Sequence, residues 1–83
     1  MTTQEQIAAL LDLAPGYEVQ IFGLLSVFRT EDGAYTVHQR TVDSGKSVFL
    51  SQTTHPTALE AAAEFERVRV QRKLGYEFET QNA

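Results

Sequence analysis

The side chains best equipped for chemistry are few and scattered. The chain has two histidines, His38 and His55, and no cysteine. His38 stands in an alternating stretch beside Arg40, and His55 precedes Pro56 at the entry to a helix. Neither has a nucleophile or a carboxylate at a spacing that would make a proton-transfer pair. Asp43-Ser44-Gly45-Lys46 unites a glycine with a lysine but lacks the spacing of a phosphate-binding loop, and it joins two strands rather than a strand and a helix. It reads as a tight turn. No metal-ligand spacing is present. These residues predict no enzyme, no metal site and no cofactor.

Binding is the remaining chemistry, and two residue sets could carry it. The first is apolar. From Phe22 onward a predicted strand becomes apolar on both faces through Phe22, Leu24 and Phe28. Such a strand must be covered on both faces, by its own chain or by another molecule. The long helix adds Leu59, Val70 and Leu74, which lie off its main apolar stripe. The second set is basic: Arg67, Arg69, Arg72 and Lys73 in the last turns of that helix, with Arg40 and Lys46 from the strands. They complement the negative end of the helix dipole, or they contact an anion or a nucleic acid.

The elements that position these residues follow from periodicity. Thr57 to Gly75 is the best-marked helix: Thr57 with Glu60 makes a capping box, and Gly75 is expected at its C-terminal stop. Ala58, Ala61, Ala62, Phe65 and Val68 form its main stripe, expected to face a sheet. Leu59, Ala63, Val70 and Leu74 form a second stripe, expected to meet Ile7, Leu10 and Leu11 of an N-terminal helix or to serve as a groove-binding or dimer stripe. That first helix is read over Thr3–Leu13, stopped by Pro15-Gly16. Between the helices, one long strand is expected over Tyr17–Arg29, with Gly23 as a bulge, then strands over Ala34–Val42 and Ser47–Thr53. Asp32-Gly33 and Ser44-Gly45 supply the turns. Tyr76–Thr80 alternates like a short edge strand, and Gln81 to Ala83 are expected to fray.

The predicted fold is therefore α+β in the order α-β-β-β-α: a short N-terminal helix, a three-stranded antiparallel meander and a long C-terminal helix packed on it. The 83 residues make a single domain, 1–83. A chain this short buries only about 60% of its unfolded surface, and without cysteines no disulfide reinforces it. Small scaffolds of this kind often gain burial from a partner or a second copy of themselves. The net charge of −4 gives no overall basic footprint for nucleic acid. Met1 to Gly16 carries acidic residues and no basic leader segment, and no apolar run approaches a membrane span. A soluble, cytoplasmic protein is expected.

From Tyr35 to Tyr76 the order of elements resembles a WGR domain, a nucleic-acid-associated module. The matching stretches are YTVHQR, SGKS, TALEAAAEFERV and KLGY. His38-Gln39-Arg40 stands near the place of the Trp-Gly-Arg tripeptide, so Arg40 alone carries over. This resemblance implies nucleic-acid binding through the basic half of the helix. In size, acidity and lack of catalytic motifs, the chain also looks like the small proteins of phages and mobile elements, anti-CRISPR inhibitors among them. That likeness implies a protein-binding inhibitor that covers a surface of a larger host complex, and this is the leading expectation.

Overall fold

The computed structural model describes residues 3–13, 17–75 and 79–82. Seven elements follow in order: α1 (Thr3–Leu13), β1 (Tyr17–Ile21), β2 (Leu25–Arg29), β3 (Tyr35–Asp43), β4 (Lys46–His55), α2 (Ala58–Gln71) and β5 (Glu79–Asn82). The α+β class is as expected. The sheet is larger than the predicted three strands: β1 to β4 form a four-stranded antiparallel meander, and β5 adds to β1, giving the order β4-β3-β2-β1-β5.

The difference arises at Phe22-Gly23. The expected single strand over Tyr17–Arg29 folds back on itself there, because Phe22 and Gly23 both take left-handed φ, 50° and 72°. Leu24 N–H donates to Ile21 O at 2.9 Å and closes the turn. Gly23 is thus a turn residue and not a bulge. Phenylalanine at positive φ is costly, so its sequence gives no turn signal. The other two turns form where expected, with Gly33 and the Ser44-Gly45 pair at positive φ.

One face of the sheet carries the core. Val19 and Ile21 of β1, Leu25 and Val27 of β2, and Tyr35 and Val37 of β3 are buried. Cross-strand register puts Val19, Val27 and Val37 in one row. Ala58, Ala61, Ala62, Phe65 and Val68 of α2 share this core, as expected of the main stripe, together with Ile7 and Leu11 of α1. The alanines let α2 approach the strands closely while Phe65, fully buried, fills the middle. Tyr35 Oη donates to Asp12 Oδ1 at 2.6 Å and ties α1 to β3.

The ends of α2 are defined chemically. Thr57 Oγ1 accepts from Glu60 N–H at 3.2 Å at the N-terminus. At the C-terminus Lys73, not Gly75, takes the left-handed position, with φ 58°. Lys73 N–H donates to Val70 O and Leu74 N–H to Arg69 O, a Schellman motif in which Leu74 packs on the core. The second stripe divides: Leu74 is half-buried, whereas Leu59 and Val70 are exposed, so α1 docks beside α2 without covering them. At the chain end, Gln81 and Asn82 lie in β5 where fraying was expected. Tyr76, Glu77 and Phe78 of the expected tail strand, and Ala83, lie outside the described residues.

Candidate protein-binding surface

β3 and β4 form the longest hairpin, and it outruns the rest of the sheet. Ser44 and Gly45, with φ of 52° and 78°, turn the chain between the paired residues Asp43 and Lys46. The ladder between β2 and β3 ends at Arg40, whose N–H donates to Leu24 O at 2.7 Å. From Thr41 outward the hairpin is two strands, with no third beside them among the described residues. A register shift at Gln39/Arg40 leaves Leu50 without a partner residue across the ladder. It is a bulge, which re-aims the side chains beyond it.

Four large apolar side chains are exposed on this projection: Val42 (61%), Val48 (40%), Phe49 (55%) and Leu50 (49%). Phe49 lies opposite Arg40, on the sheet face turned away from the helices, and its ring meets that of His38 at 5.3 Å. Phe22 is exposed in the β1–β2 turn, at the same end of the sheet as the hairpin tip.

Charge is distributed unevenly around this end. Arg40, Lys46, Arg72 and Lys73, four of the seven basic residues, gather there, with Asp43 paired across from Lys46. Arg40 Nη1 donates to Ser47 Oγ at 3.2 Å, and Arg72 donates to Leu24 O and Arg40 O. The other basic residues of α2 are engaged with glutamates. Arg67 pairs with Glu64, and that hydrogen bond, aided by charge attraction, holds the Glu64 carboxyl below its ordinary range. Arg69 is 5% exposed, pairs with Glu66 at 2.8 Å and donates to Leu74 O at 3.0 Å. The basic set expected from sequence therefore separates: Arg67 and Arg69 serve the helix, and Arg40, Lys46, Arg72 and Lys73 share one end of the molecule.

The apolar set separates as well. Phe22 is exposed, Leu24 half-buried in its turn, and Phe28 half-buried on the open sheet face. Leu59 and Val70 lie near opposite ends of α2, roughly 16 Å apart along its axis. These residues do not form one patch. The hairpin end instead exposes apolar residues on both its faces, Val42 and Phe49 on the open one and Val48 on the other. Its signal in the sequence is Val48-Phe49-Leu50, three successive apolar residues that no alternating strand can bury on one face.

His38 lies on the open face, and His55 on the helix-covered face with Nε2 2.9 Å from Thr53 Oγ1. The histidines thus sit on opposite faces. Among the described residues there is no pocket and no group of three metal-binding side chains. No described helix is long and apolar enough to cross a membrane. No protein-family model matches the chain, and comparisons with curated proteins and with solved structures give no match.

Proposed function

We propose that the protein is a non-enzymatic binding module that docks the free end of its β3–β4 hairpin on a larger protein and blocks the surface it covers. The observation that carries this reading is the exposure of Val42, Val48, Phe49 and Leu50 together on a two-stranded projection. Isolated exposed apolar residues are ordinary, but a cluster with a charged rim matches the anatomy of an interface. The rim of Arg40, Lys46, Arg72 and Lys73 favours a partner whose apolar site is bordered by carboxylates. Occlusion is the action that fits an 83-residue chain of this kind.

The test is affinity capture with the wild-type chain, Phe49→Asp and Leu59→Ser, each checked for folding by circular dichroism. A discrete protein retained by wild type and Leu59→Ser but lost with Phe49→Asp supports the reading. Retention by all three, or by none, overturns it. A second reading, nucleic-acid binding, draws on Arg40 opposite Phe49, whose ring meets that of His38, with Lys46 and Arg72 at the same end of the molecule. It predicts binding to single-stranded DNA or RNA that weakens steeply between 50 and 200 mM salt, as expected for roughly four phosphate contacts.

A further inference from the structure

β4 closes one side of the sheet, so its outer edge faces no other strand among the described residues. This edge is ten residues long, against four for β5 at the other side. Edge strands are commonly guarded by charges, proline or brevity. β4 has one lysine, Lys46, at its first position, no acidic residue, and no proline before Pro56. Its bulge at Leu50 is the one irregularity along the ladder with β3.

We infer that β4 pairs antiparallel with β4 of a second copy, joining the two sheets into one across a two-fold axis. The register follows from the faces. Phe49 and Gln52 belong to the open face, Val48 and Thr53 to the helix-covered face, as their β3 partners show. Keeping each face continuous sets Phe49 against Gln52 of the second copy, Val48 against Thr53, Ser47 against Thr54 and Lys46 against His55. Leu50 then lies next to the axis, beside its own counterpart.

Charge selects a second copy over another extended segment. The tip of each hairpin is basic, through Lys46 and Arg40, and antiparallel pairing carries it to the far end of the other β4. That end carries Glu60 and Glu64 of α2, Glu64 paired with Arg67 and near enough to His55 to interact with it. Each Lys46 therefore reaches the Glu64 side of the second copy, twice per dimer. The pairing leaves Phe49 on the open face, so the dimer presents two copies of the binding surface side by side.

The experiment uses the absence of native cysteine. Ser47→Cys/Thr54→Cys puts two thiols on one strand about 23 Å apart, too far for a bridge within one chain. In the dimer each thiol faces its counterpart in the second copy. Wild type is expected at twice the monomer mass in light scattering at tens of micromolar. The double-cysteine chain is expected to become a covalent dimer on mild oxidation. Lys46→Glu and Glu64→Lys are each expected to weaken dimerisation at least fivefold, and the combined charge swap to restore it. A monomer at all concentrations, random higher oligomers on oxidation, or a dimer indifferent to the charge swap would overturn the inference. A monomer that still loses its partner with Phe49→Asp would overturn the dimer alone and leave the binding reading standing.

Discussion

Arg72 donates to the carbonyl of Leu24 at 3.0 Å and so fastens the end of α2 to the β1–β2 turn. Its other Nη donates to Arg40 O at 2.9 Å. One guanidinium thereby joins the helix, the turn and the root of the hairpin. Arg72→Ala is expected to cost about 1–2 kcal/mol, the range for hydrogen bonds made by a charged group at a partly exposed site. Arg72→Lys should recover less than half of this, since a single ammonium cannot reproduce the fork. Urea unfolding measures both.

Phe22 and Lys73, like Ser44, hold left-handed backbone that glycine adopts without strain. Lys73→Gly is expected to stabilise the chain by about 1 kcal/mol, since a Schellman motif favours glycine at this position. Phe22→Gly should gain a similar amount while removing an exposed ring. A midpoint shift to higher urea, with an unchanged slope, is the expected result for each.

The bond from Tyr35 to Asp12 makes stability depend on alkaline pH. That hydrogen bond, followed by burial, raises the Tyr35 phenol above its ordinary 10.0. The unfolded chain then loses this proton at a lower pH than the folded one does. The contribution is complete below pH 10.0 and falls away as pH rises through the higher folded value. Tyr35→Phe should be less stable than wild type at pH 8, and the gap should narrow above pH 10. Unfolding curves across that range check the sign.

Phe65 and Leu59 belong to the same helix and should respond oppositely to truncation. Phe65 is fully buried, and Phe65→Ala is expected to cost about 3–5 kcal/mol, enough to unfold much of so small a domain. Leu59→Ser and Val70→Ser, at exposed positions, should stay within about 0.5 kcal/mol of wild type. Thermal melts of the three variants make the comparison.

Much of this architecture is readable in the residue pattern, and the exceptions have physical causes. Thr57, Glu60 and the Ala/Phe/Val stripe announce α2 because capping and amphipathic period agree. Asp32-Gly33 and Ser44-Gly45 announce their turns because glycine and small polar residues favour left-handed backbone. Phe22-Gly23 and Lys73 do the same work with residues that carry no such signal. Hence the pattern implies one strand where a hairpin stands, and a stop at Gly75 in place of Lys73. Arg69 reads as a solvated charge, but Glu66 neutralises it and lets its stem lie in the interior. The exposed hairpin is hardest to read, since nothing local in Val48-Phe49-Leu50 tells that β2 ends before reaching it.

The pairing of β5 with β1 has a kinetic consequence. Each strand of the meander finds its neighbour across a short loop, which favours rapid assembly. β5 must return to β1 across three strands and the helix α2, and closes the largest loop in the sheet. It is expected to join last and to detach first. In hydrogen exchange its amides should therefore lose protection ahead of those in β2 and β3, and proteolytic nicking should begin near residue 79, well away from the hairpin.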